Sequence, residues 1–203
     1  RWSAALGYLT PEVRARPNLE IRGDLHVRRV VVEARRAVAV KAVGDAAGER
    51  IDAGQIILCA GAIGSPHLLL LSGIGPAEQL RSLDVPVRAD LPGVGGNLRC
   101  HAQCEIVVEV QPAYRNSGEE PPLQMGCRYT AAGSDRRNDM FLHPLSCRTR
   151  NGACDAADPQ IIGMGLVAAV YLAVGAGRVR LRTNDPAQQP ALDYNLLAED
   201  DDL

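Results

Sequence analysis

Lysine and aromatic side chains are nearly missing from this chain of 203 residues. Of its 22 basic residues only Lys41 is a lysine, and the aromatics are one Trp, five Tyr and one Phe. The remaining arginines are scattered rather than clustered, which fits a GC-rich coding sequence better than a recognition surface. Nor is there an excess of charge of one sign. With 24 acidic residues and a formal net charge of −2, the chain lacks the basic excess of a dedicated nucleic-acid binder. Long apolar runs are missing as well. The longest, Ile161 to Val174, has 14 residues with two glycines, short of the ~18 that a membrane span needs, and reads as buried core. A CxxC pair is missing, and the group Cys100-His101-x-x-Cys104 has no second pair to complete the four ligands of a structural zinc site, so no metal is expected. No secretory signal pattern is seen, and the six cysteines (59, 100, 104, 127, 147, 154) are expected as reduced, mostly buried thiols in a cytoplasmic chain. The sequence opens at Arg1 and closes on Asp200-Asp201-Asp202-Leu203, and both ends are expected to be cuts within something longer.

What is present is a foldable chain. Hydrophobic residues make up 46%, which excludes disorder, and the length allows one domain or two small ones. Residues 2–9 and the turn through Arg16 read as short helices, and Leu19-Glu20-Ile21 as a short strand. From Leu25 the β-branched run Leu-His-Val-Arg-Arg-Val-Val-Val, then Ala37 to Val43, then Glu49 to Ala53 predict a three-stranded meander joined by tight turns. Gln55 to Ala60 is continuously apolar, the pattern of a strand buried on both faces of a parallel sheet. It runs into Gly61-Ala62-Ile63-Gly64, with Ser65 as N-cap and Pro66 as first residue of a helix to Leu71 that Ser72-Gly73 ends. The positive end of such a helix could hold a phosphate. A further helix is predicted from Pro76 to near Leu83. Strands are expected at Glu105 to Val110, Met140 to Leu145, Ile161 to Val174 and Arg178 to Arg182, with a loop-rich stretch over 111–138.

Gly61-Ala62-Ile63-Gly64-Ser65-Pro66-His67-Leu68-Leu69-Leu70-Leu71-Ser72-Gly73-Ile74-Gly75 resembles the second signature of the glucose–methanol–choline (GMC) flavin oxidoreductases. The flanks agree in order and spacing: Arg16-Pro17-Asn18-Leu19, Val27-x-x-Val30, Asp90-Leu91-Pro92-Gly93-Val94-Gly95-Gly96-Asn97-Leu98, then Gly177 to Leu181, Asp185-Pro186, Pro190, Asp193 and Asn195-Leu196. The match is strong over 1–101 and weaker over 102–203. It departs from the family at Cys100, which stands for an Asp, at Gly175-Ala176-Gly177, which stands for Ser-Arg-Gly, and at Ala39, which stands for a glycine.

The resemblance implies FAD as cofactor and hydride transfer from an alcohol, polyol or choline-like CH–OH donor to the flavin. It implies an incomplete α/β FAD-binding domain of the glutathione-reductase type with a β-meander over 1–100, and part of an α+β antiparallel-sheet substrate domain over 101–203. It places Val27 backbone at the adenine, Ala60, Gly61 and Ala62 along the FAD chain with Ser65 nearby, and Asn97 and His101 near the cofactor. No GxGxxG stands in strand-to-helix context, and the family's catalytic His is expected beyond the chain's C-terminal end, so no catalytic residue is assigned. His26, His67 and His143 are expected to be structural or on the surface, and Gly64-Ser65-Pro66 lacks the GxSxG elbow of a serine hydrolase. The chain is thus expected to be a fragment of an FAD-dependent oxidoreductase, partnered by the remaining portions of the same enzyme. The alternative is a catalytically incompetent truncated or split-gene product that needs a separate polypeptide.

Overall fold

The structure, a computed structural model, describes residues 3–43, 48–115, 121–149, 152–153 and 161–202. It divides into two compact units, residues 1–98 with 177–193 and residues 99–176 with 194–203. No helix of the described residues is long and apolar enough to cross a membrane.

The first unit opens with two short helices, α1 (Ala4–Tyr8) and α2 (Pro11–Arg14). Hydroxyls fix both starts: Ser3 accepts a hydrogen bond from Leu6 N at 3.1 Å and Thr10 one from Val13 N at 3.4 Å, satisfying donors that a helix start leaves unpaired. The predicted strand at Leu19–Ile21 does not form. The meander does: β1 (His26–Glu33), β2 (Arg36–Val43) and β3 (Glu49–Asp52) pair antiparallel in that order. Arg29, Lys41 and Arg50 stand opposite one another across it, and Arg50 is neutralised by Glu33 and Asp52 at 3.0 and 2.9 Å.

Residues 55–60 form no strand, against expectation. A strand exists by sharing its ladder, and no described strand pairs with this run, so Ile57 stays 76% exposed. The helix that follows, α3 (Gly61–Leu71), starts earlier than expected. Ser65 therefore lies inside it and is no N-cap. Its hydroxyl instead accepts from Ala60 N at 3.0 Å, folding the first turn back on the preceding residue, and Pro66 lies inside the helix, where it forgoes the hydrogen bond to Ala62 O. Beyond Gly73 run β4 (Ile74–Gly75), α4 (Ala77–Ser82) and β5 (Ala89–Asp90), with β4 and β5 parallel. Leu70, Leu71, Leu80 and Val85 form the core with Leu181.

The second unit is an antiparallel sheet. Its strands are β6 (Gln103–Glu109), β7 (Cys127–Tyr129), β8 (Met140–Thr149), β9 (Gly152–Ala153) and β10 (Ile161–Val170), ordered β6-β10-β8-β7 with β9 on β8. The apolar run of β10 is not buried throughout. Val167 and Ala169 are buried, whereas Met164 and Leu166 point outward beside Val108 and Ile106, the alternation of a sheet with one covered face. On the covered side the carboxylate of Glu105 reaches over β10 to the Arg148 guanidinium. Gly165 permits the crossing, because a Cβ there would strike the Glu105 carboxylate.

The chain then returns to the first unit through β11 (Arg178–Arg180) and β12 (Ala191–Asp193), an antiparallel pair. The compact units group 177–193 with residues 1–98 rather than with the residues beyond 101. Alternation along β11 and just past it buries Val179 and Leu181 in the first unit. Val179 N donates to Gly95 O at 2.7 Å and Asn184 Nδ2 to Leu83 O at 3.1 Å.

Candidate functional site

The start of β1 and the first turns of α3 face each other across a cleft of about 350 Å³ in the first unit. Val27, Ala60, Gly64 and His67 line it, with Pro186 to Gln189 from the returning segment. That volume falls in the ~300–1,000 Å³ range of small-molecule sites. Gly64 keeps the first turn of α3 uncrowded, because a Cβ there would lie 3.0 Å from the Ala60 Cβ one turn back. Gly61 turns the chain with φ +80° and has open space where a side chain would project. Burial, and secondarily the neighbouring His26, hold the His67 imidazole below its ordinary pKa, favouring the neutral ring.

One buried hydroxyl ties the two walls together. Ser72, at the end of α3, accepts a hydrogen bond from Val30 N of β1 at 2.8 Å and donates one to Leu68 O at 2.6 Å. Ser72→Ala strands the buried Val30 N–H, and the expected loss is about 1–3 kcal/mol of unfolding free energy. Urea denaturation measures it, and a change near zero would show that the hydroxyl is not what joins the walls.

Of the residues the family resemblance implicates, Val27 and Ala60 line this cleft, and Gly61, Ala62 and Ser65 follow at the start of α3. Asn97 lies elsewhere in the same unit, with φ +56° in the turn after Gly95-Gly96. His101 belongs to the second unit, where it borders a smaller cleft of about 170 Å³ with Arg99, Cys100, Tyr171, Leu172 and Ala173. Its ring stacks on Tyr171 with centroids 4.2 Å apart at 22°, and the Arg128 guanidinium lies 4.3 Å from the centre of the same Tyr171 ring.

Several features escaped sequence reasoning. His26 and His67 meet in the larger cleft, although neither has a motif of its own. Pro186 to Gln189 reach it only through the return of the chain, and the sole signal was Asp185-Pro186 standing in family order. The cysteines also differ from expectation. Cys59, Cys100, Cys104 and Cys127 are free but exposed, since three lie at strand ends or in loops and Cys104 sits on the uncovered side of β6. Cys147 is buried and disulfide-bonded. Cys154 lies outside the described residues.

A family model described as GMC oxidoreductase matches residues 1–103. The 5-(hydroxymethyl)furfural oxidase of Methylovorus sp. (strain MP688) is 34% identical over 212 residues, covering 100% of this chain and 37% of that protein. The oxygen-dependent choline dehydrogenase of Burkholderia thailandensis is 32% identical over 223 residues, covering 98% and 39%. Among solved structures, formate oxidase superposes with TM-score 0.79 at 21% identity over 94% of this chain and 42% of its own. Pyridoxine 4-oxidase from Mesorbium loti gives 0.73 at 24%, over 100% and 40%. The chain therefore shares their fold and spans about two fifths of the length of these relatives.

Proposed function

The chain belongs to the GMC oxidoreductase family, and we propose that it forms part of an FAD-dependent enzyme that oxidises a CH–OH group of a small-molecule alcohol. The observation that carries the reading is the cleft lined by both Val27 and Ala60, because the family resemblance assigns these two residues, far apart in sequence, to the same cofactor. Relatives named for 5-(hydroxymethyl)furfural and choline support the substrate class. In this reading the first unit is part of a glutathione-reductase-type FAD-binding domain, and the antiparallel sheet of the second is part of the substrate domain.

FAD, when bound, supplies the hydride acceptor, and the protein binds and orients it. Backbone at Val27 meets the adenine. Ala60, Gly61 and Ala62 run along the dinucleotide, where the absent side chain at Gly61 leaves room. Ser65 holds the first turn of α3 in shape by accepting from Ala60 N. The family resemblance assigns Asn97 in the first unit, and separately His101 in the second, to the cofactor. The pyrophosphate cradle and the catalytic base fall to the part of the relatives' length that this chain does not span.

The test is titration of the chain with FAD, and separately with AMP, followed by the ring-proton NMR signals of His26 and His67. Both signals are expected to move saturably with either ligand, with a dissociation constant of about millimolar, equivalent to roughly −4 kcal/mol. A folded chain whose two signals ignore both ligands would refute the assignment of this cleft.

A further inference from the structure

We propose that Tyr171, backed by Arg128, is a positioning residue that fixes the plane of the His101 imidazole at the mouth of the small cleft in the second unit. The inference rests on the reading of His101 as a residue beside the cofactor, and it concerns a pair of residues that no motif of the sequence picks out.

His101 sits in a segment without helix or strand and is exposed. An imidazole in that setting has a broad, two-fold χ2 preference and takes no single plane by itself. The structure supplies a plane. The Tyr171 ring lies 4.2 Å away and nearly parallel, and Arg128 Cζ lies 4.3 Å from the same ring centre. His101 and Arg128 thus both pack on the Tyr171 ring. A guanidinium over a tyrosine face is attracted by the ring quadrupole, and offset-stacked rings are favoured over free ones.

Tyr171 is itself anchored. It directly follows β10, and its N–H, with that of Leu172, donates to Asp139 O at 2.7 and 3.1 Å. Asp139 is buried and accepts from Ala131 N at 2.9 Å. Phe141, the only phenylalanine, tilts against the Tyr171 ring at 5.3 Å. Arg128 extends from β7 and donates through Nη2 to Asn138 O at 2.7 Å. Each partner belongs to the second unit, and together they aim one ring.

The test reads the ring protons of His101 in the full chain by NMR, assigned through His101→Gln. The wild-type signals are expected upfield of the unfolded position, from the Tyr171 ring current. Tyr171→Leu is expected to abolish that shift while His26 and His67 stay put, and Tyr171→Phe to preserve it, because the ring and not the hydroxyl carries the contact. Should Tyr171→Leu fail to fold, Arg128→Met carries the test, with a partial loss of the shift expected as Tyr171 loses its backing. A His101 signal at the unfolded position in the wild type, or one unmoved by Tyr171→Leu or Arg128→Met in a folded chain, overturns the proposal. The FAD titration of His26 and His67 is scored separately, so failure of the cofactor reading and failure of the stack are told apart.

Discussion

Leu70→Ala is expected to remove about 2–5 kcal/mol of stability, the range for deleting a fully buried leucine. Leu70 has no exposed surface and lies at the centre of the cluster with Leu71, Leu80, Val85 and Leu181. Two glycines shape its place. A Cβ at Gly75 would come within 2.5 Å of Leu70 Cδ2, and one at Gly95 within 3.6 Å of Cδ1. The leucine methyls thus fill space that those backbones leave free, and Ala would leave a void that rigid backbone cannot close. With total stabilities of about 5–15 kcal/mol for a native protein, one substitution of this size consumes much of the margin. Urea unfolding should show a lower midpoint at an unchanged slope. Leu70→Met keeps the volume and should cost below about 1.5 kcal/mol. A loss under about 1 kcal/mol for Leu70→Ala would mean that the cluster relaxes around the gap.

Gly95→Ala is the second large effect, and its cause is backbone rather than core. Gly95 holds φ +81°, and a Cβ there would overlap the Val179 carbonyl. The left-handed conformation costs a side-chain-bearing residue about 1–2 kcal/mol, and overpacking typically adds about 1–3 kcal/mol. Val179 N also donates to Gly95 O, so the collision falls on the contact that seats β11. Expected are a lower unfolding midpoint and faster tryptic cleavage at Arg178, Arg180 and Arg182. Gly93→Ala serves as the control, since Gly93 has open space in the Cβ direction and no positive φ is recorded for it. Equal effects of the two alanines would rule out the steric account.

Much of this was legible beforehand, for reasons that differ from element to element. The meander was readable because β-branched runs alternate with turn residues, and antiparallel neighbours in sequence pair with each other without distant help. The second helix after Pro76 and the strands around 105, 140 and 161 carried equally local signals. Gln55 to Ala60 was misread because an apolar run states a preference for burial, while burial depends on which strands lie alongside. Ser65 matches a capping pattern, yet α3 starts at Gly61, and Ser65, inside the helix, accepts from Ala60 N just before it.

By itself the sequence determined the family, through a fifteen-residue signature and its ordered flanks, and the local strands and helices, through periodicity and turn chemistry. Those are properties of neighbours along the chain. The tertiary structure alone decided that 177–193 returns to the first unit, that the Ser72 hydroxyl ties α3 to β1, and that His101 and Arg128 both pack on Tyr171. Each of these joins residues 42 or more positions apart, and such pairings depend on which faces are buried together, which no local pattern encodes.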